Sequence, residues 1–145
     1  MPALKVLPDR FAICRLDPRE RIPGWAMEGQ FWSVTGTREE LSLVCPEASL
    51  PEGLTSERGW CGLRVEGPLD FGEVGVLASL ALPLRDARIS IFVVSTYLTD
   101  YILLKKRDLG PAVRALVRAG HEVLSEKDEK LTVEEGERSS YAEAK

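Results

Sequence analysis

The order of apolar and polar positions changes character part-way along this 145-residue chain. In the first part the apolar residues come in short, interrupted runs. Arg10–Leu16 places Phe11, Ile13 and the aliphatic stem of Arg15 on one side of an expected strand. Asp17-Pro18 closes it, because a residue before proline is pushed away from helical geometry. Ile22-Pro23-Gly24-Trp25 reads as an irregular or single helical turn. Phe31–Thr35 and Leu41–Cys45, rich in aromatic and β-branched residues and joined by the polar run Gly36–Glu40, predict a hairpin. Pro46–Gly59 carries two prolines and two glycines and reads as a linker. Trp60–Val65 is a further expected strand.

The second part is more regular. Asp70, followed three residues later by Glu73, is a variant of the capping box and predicts a helix start at or near Asp70. Val74, Leu77, Ala78, Ala81 and Leu84 keep helical spacing, and Pro83 is expected to bend or end the helix. Ile89–Ser95 is apolar on both alternating sides, which predicts a central strand covered on both faces. Tyr97–Asp100 is a turn, and Tyr101–Lys105 the returning strand of a second hairpin. Asp108 can cap a last helix in which Leu109, Ala112, Val113, Leu116 and Val117 share one side. Gly120 stops it, and His121–Leu124 reads as a final strand.

From Trp60 onward the order is strand, helix, strand, strand, helix, strand. That is the split βαβ, ferredoxin-like order of an α+β fold, with both helices on one sheet face. The other face is expected to be covered by the first part of the chain or by a second subunit.

Composition narrows the chemistry. With 44% apolar and 29% charged residues the chain is an ordinary globular one. Its 19 basic and 23 acidic side chains leave a body close to neutral, with nothing to attract nucleic acid. Residues 125–145 hold seven acids and four bases and are expected to be a flexible, charged tail. No signal peptide is read at the N-terminus. The longest nearly apolar stretch, Val74–Leu84, is far short of the ~20 residues a membrane helix needs. The expectation is a soluble, cytoplasmic protein that uses no membrane. Cys14, Cys45 and Cys61 are an odd number at wide spacing, which reads as buried reduced thiols and not as a disulfide frame or metal site. A single histidine, His121, argues against histidine-based catalysis and is itself expected to be packed or on the surface.

The most informative stretch is Val65–Val76, a strand–loop–helix junction with three glycines, Gly67, Gly72 and Gly75. Glycines let a ligand approach the backbone, and the amides of a helix start favour a carboxylate. The pattern is neither a P-loop nor a dinucleotide fingerprint. A tight turn followed by a cap accounts for the same residues without any ligand, so both readings stand on the residues alone. Ser95–Tyr101 is the neighbour expected in space. Asp100 is either a local backbone acceptor in a turn or the partner of a ligand's ammonium group, a role for which Asp70 competes. Lys105, Lys106, Arg107, Arg114 and Arg118 form a small basic cluster. The aromatic pattern of an RNA-binding sheet is missing, so they are read as solvated.

Three segments carry a family resemblance: Thr37–Cys45 (TREELSLVC), Trp60–Val76 (WCGLRVEGPLDFGEVGV) and Ile89–Leu103 (ISIFVVSTYLTDYIL). Together they resemble the small bacterial ACT-domain proteins related to the CASTOR-type arginine sensors, over about Phe11 to Gly120. The resemblance implies a shortened ACT-like half at 1–58 and an ACT domain at 59–124, followed by the tail at 125–145. It implies a regulatory sensor that binds a free amino acid, without catalytic residues, metal or cofactor. Ligand-binding residues carried over from the loop between first strand and first helix are Gly67, Leu69, Asp70, Phe71, Val74, Gly75 and Val76. Ser95, Thr96, Thr99 and Asp100 are candidates for the serine and aspartate that help hold the amino acid. A homodimer, with ligand bridging half-domains or chains, is the expected assembly. The alternative is an ACT-shaped interaction or dimerisation module without a ligand. A small transferase using Asp70, Asp100 and Tyr101 is the third reading.

Overall fold

The computed structural model describes residues 2–67, 69 and 72–136. Along the chain the elements are β1 (Ala3–Val6), β2 (Phe11–Leu16), β3 (Ser33–Gly36), β4 (Leu41–Pro46), β5 (Ser56–Val65), α1 (Val76–Asp86), β6 (Ile91–Ser95), β7 (Asp100–Lys105), α2 (Leu109–Arg118), β8 (Glu122–Leu124) and α3 (Val133–Gly136). The chain divides into two compact units, Asp9–Trp60 and Met1–Pro8 with Cys61–Lys145. The ten-residue strand β5 passes from the first unit to the second.

In the unit Asp9–Trp60, β2 pairs antiparallel with β4, and β4 pairs with β3, forming the expected hairpin. The first residues of β5 add a strand beside β2, with an irregularity between Phe11 and Ile13. The segment read as a linker is therefore shorter than expected, and becomes strand from Ser56. Ala12, Cys14, Leu43 and Cys45 alternate onto one face and form a core with Leu16, Ala26, Leu41 and Leu50. Phe31 meets Phe11 edge-on at 5.7 Å. All three cysteines are buried free thiols.

The other unit is the ferredoxin-like order with one strand added. Its sheet runs β6-β7-β5-β1-β8. The N-terminal strand β1 is inserted antiparallel to β5, Leu4 opposite Val65, and parallel to β8, Leu4 opposite Val123. Residues 1–8 thus belong to the same unit as the C-terminal strands, and the boundary expected near 58–59 falls inside β5. Leu63 and Val65, Ile102 and Leu104, and Leu4 and Val6 point to one face. There they are covered by Leu80 and Leu84 of α1 and by Leu109, Ala112, Val113 and Leu116 of α2. Burying each of the leucine, isoleucine and valine side chains contributes about 1.5–3 kcal/mol.

Four local expectations are corrected. Helix α1 begins at Val76, behind Gly75 in the left-handed conformation at φ 81°, and not near Asp70, which lies outside the described residues. Pro83 does not end α1, which continues to Asp86. Asp108 ends a short 3-10 turn and makes no side-chain cap to α2. Strand β6 is an edge strand whose described pairing is with β7, and its residues Ile91–Val94 are half-buried instead of covered on both sides.

Residues 125–136, expected as part of a flexible tail, fold back on the sheet. The Ser125 amide donates to the Glu129 carbonyl at 2.7 Å, and that of Leu131 to Val123 at 2.8 Å. Leu131 is buried in the core. Arg114 donates from Nη1 to the Gly136 carbonyl at 3.0 Å, so α3 rests on α2. A Cβ at Gly136 would sit 2.8 Å from Arg114 Cγ, so the contact requires glycine. Among the described residues no helix is long and apolar enough to cross a membrane.

Candidate ligand-binding site

The β6–β7 hairpin ends in the register pair Ser95 and Asp100. Its four-residue turn is closed by its threonines. The Thr96 amide donates to the Thr99 carbonyl at 2.8 Å, and the Thr99 amide donates to Thr96 Oγ1 at 3.3 Å. Thr99, a buried hydroxyl, donates from Oγ1 to the Val65 carbonyl at 2.6 Å, which fixes the turn against the end of β5. The Leu69 amide donates to the Leu98 carbonyl at 2.8 Å, a second staple between the loop after β5 and the turn. Gly67 makes this approach possible: a Cβ there would meet the Leu69 nitrogen at 2.9 Å and the Leu98 carbonyl oxygen at 3.3 Å.

Opposite the turn, α1 starts at Gly75, which has no side chain to cap it. The amides of Val76, Leu77 and Ala78 have no carbonyl one turn earlier within the helix, so their dipoles favour an anionic group. Ser95 donates from Oγ to Asp100 Oδ1 at 2.6 Å, which orients the half-buried carboxylate. A cleft of about 440 Å³ lies among these groups. It is lined by Leu69, Glu73, Gly75–Ala78 and Ser95–Asp100.

The cleft gathers Leu69, Gly75, Val76, Ser95, Thr96, Thr99 and Asp100 of the expected site residues. Gly67 instead lines a neighbouring cleft of about 300 Å³, and Val74 stands in solvent, 94% exposed. Asp70 and Phe71 lie outside the described residues. Sequence reasoning missed Glu73, Leu77, Ala78, Tyr97 and Leu98. The signal for the last two was available, since Tyr97 and Leu98 put apolar bulk at a hairpin tip where polar turn residues are the rule. They remain 78% and 60% exposed. Among the described residues no group of histidine, cysteine or carboxylate side chains could hold a metal ion.

A family model described as an ACT domain matches residues 55–118, and a second model, an N-terminal domain, matches residues 9–53. The crystal structure of an Agobacterium tumefaciens protein aligns at a TM-score of 0.82 with 37% identity, over 90% of this chain and 98% of that one. The chain carries an ACT domain.

Its ferredoxin-like ACT fold is also seen in the aspartokinase alpha and beta subunits, at TM-score 0.58 and 18% identity over 81% of this chain and 96% of that one. Among curated relatives, the human protein CASTOR3P is 33% identical over 93 residues, which is 55% of this chain and 57% of that protein. The Bos taurus cytosolic arginine sensor for mTORC1 subunit 1 is 30% identical over 100 residues, 61% of this chain and 30% of that protein. The chain therefore spans about half the length of the first and under a third of the second.

Proposed function

We propose that this ACT-domain protein is a regulatory, non-catalytic module that binds a free amino acid in the 440 Å³ cleft. The α-carboxylate would sit on the first-turn amides of α1, and the α-ammonium on Asp100, held in place by Ser95. The observation that carries the reading is the pairing, on one cleft, of a helix start at Gly75 with a carboxylate already oriented by a neighbouring hydroxyl. The relatives named as arginine sensors support the ligand class. The cleft's described lining offers no acid–base pair beyond Glu73 and Asp100, which supports binding in preference to turnover.

A thermal-shift screen over the common amino acids tests it. A ligand at 100 times its Kd adds about 2.7 kcal/mol, a melting shift of several degrees at this size. No shift with any amino acid at millimolar concentration would remove the reading.

A second reading has its own observation. Val74, Tyr97 and Leu98 are apolar and exposed, and Tyr97 and Leu98 lie at the cleft. Such side chains suit a covering partner, and a second copy of the chain in a homodimer is the partner we infer. Association that depends on concentration, with no response to amino acids, favours an interaction module without a ligand. A cytoplasmic location fits the three free thiols.

A further inference from the structure

Strand β3 forms one end of its sheet and pairs only with β4 among the described residues. The Thr37 amide donates to the Glu40 carbonyl at 2.9 Å, so the hydrogen-bonded pairs of this hairpin run through Thr37, Thr35 and Ser33. The amides and carbonyls of Val34 and Gly36 therefore turn to the open side. Nothing blunts that edge, since Ser33–Gly36 holds no charge, proline or bulge. The outer edge of β8, by contrast, is closed by the Leu131 amide, which donates to the Val123 carbonyl.

Apolar bulk borders the same edge. Val34 packs on the core that Leu43 shares with Ala26, and Trp32, two residues earlier, continues its side of the strand. Ala26 belongs to the 3-10 turn Gly24–Met27, so that turn covers this side. Ile22, Met27 and Trp32, around that turn and the start of β3, stay exposed at 45%, 42% and 41%. Beyond the far end of the strand Arg38 stands exposed at the hairpin tip, with no ion pair among the described residues. One surface thus carries an open backbone edge, an aromatic ring at one end and an unpaired guanidinium at the other.

We propose that this edge is the interface with a second copy of the chain, β3 pairing antiparallel with its own counterpart across a two-fold axis at Thr35. Val34 then faces Gly36 of the second copy, and each such pair exchanges both main-chain bonds. Trp32 lies beside the other hairpin tip, where Arg38 stacks on the indole ring, and the symmetry makes that contact twice. The pattern fits its own copy because ring and cation sit at opposite ends of one strand. Antiparallel pairing brings the unlike ends together, whereas parallel pairing would set Arg38 against Arg38. Ile22 and Met27 extend the apolar border of the strip that becomes buried. The surface belongs to the unit Asp9–Trp60, and the inference does not rest on amino-acid binding.

The test combines disulfide cross-linking with sedimentation of the full chain. On the axis, Thr35 meets its own copy as a non-hydrogen-bonded pair about 4.5 Å apart at Cα, within disulfide reach. Thr35→Cys should therefore give a covalent dimer under a thiol oxidant, and Glu39→Cys, remote from the axis, should not. The native thiols are buried and do not compete. Gly36→Pro removes an edge amide and Trp32→Lys sets like charges together, so each should weaken association about tenfold or more. Adding Arg38→Glu to Trp32→Lys should restore it. Tyr97→Lys, at the other surface, should leave the Thr35→Cys cross-link in place. The proposal is overturned if the unaltered chain is monomeric at millimolar concentration, if Thr35→Cys does not cross-link, or if Gly36→Pro and Trp32→Lys associate as tightly as the unaltered chain. Association that survives Gly36→Pro and is lost in Tyr97→Lys overturns it as well, and assigns the dimer to the turn Thr96–Thr99.

Discussion

His121 Nε2 lies 3.0 Å from the carbonyl oxygen of Ser79, the carbonyl that Pro83 leaves without its helical donor. In an uninterrupted helix the amide of residue 83 would donate there, and proline has none. The buried imidazole supplies the missing donor, so Nε2 carries the proton. The only histidine in the chain thus explains how α1 continues past Pro83 to Asp86.

Replacing His121 by Leu strands that carbonyl in the interior and should cost about 1–3 kcal/mol. Pro83→Ala restores the backbone donor, so the double variant should recover a large part of the loss. Urea unfolding of the four proteins measures the coupling. Strictly additive losses would show that the two residues do not share the Ser79 carbonyl.

The Thr99 hydroxyl is asked to hold the hairpin turn against β5. Thr99→Val keeps the shape and leaves the Val65 carbonyl unpaired, with an expected cost of about 1–3 kcal/mol, whereas Thr99→Ser keeps the bond. Chemical denaturation with the amide exchange rates of Leu98 and Thr99 checks this. Equal stability of the valine and serine variants contradicts it.

Gly67→Ala places a methyl 2.9 Å from the Leu69 nitrogen and 3.3 Å from the Leu98 oxygen, both of them backbone atoms that cannot swing aside. The expected result is a loss of about 1–3 kcal/mol and faster exchange of the Leu69 amide, which hydrogen-exchange NMR reads directly. Unchanged protection of Leu69 would show that the loop tolerates the methyl.

The thiols should be inert while the protein is folded. Burial, reinforced by the neighbouring Cys14, pushes Cys45 up to about 11, and burial also raises Cys14. At mildly alkaline pH both remain protonated and are poor nucleophiles. A thiol reagent should label neither in the native protein and all three cysteines after denaturation. Rapid native labelling of Cys45 would contradict this.

The strands β2 and β4 and the helical spacing of Leu109 to Val117 were legible in the residues, and so was the strand–helix order from Trp60 onward. These elements are built from local patterns. The core-facing side of β2 was not legible, since Ala12, Cys14 and Leu16 enter the core while Ile13 is half-buried and Arg15 exposed. Strand β1 was not, because four residues carry too short a period and its partners, Val65 and Val123, lie far along the chain. The start of α1 was misread because Asp70 and Glu73 have capping-box spacing, while the structure uses a left-handed Gly75. Leu131, one apolar residue in a charged run, pins residues 125–136 to the core by contacts that no local pattern announces. In the candidate site, Ser95 and Asp100 were legible as neighbours of a turn. Their cross-strand bond and the closeness of Leu98 to Leu69 depend on tertiary packing.

The most direct test is calorimetric titration of the amino acid that gives the largest thermal shift into the unaltered chain, Asp100→Asn and Ser95→Ala. Losing a charge-assisted contact should weaken binding by about tenfold or more in Asp100→Asn and by less in Ser95→Ala, with melting temperatures of the free proteins nearly unchanged. Equal affinity for the unaltered chain and Asp100→Asn would mean that the amino acid is held somewhere other than the cleft at the start of α1.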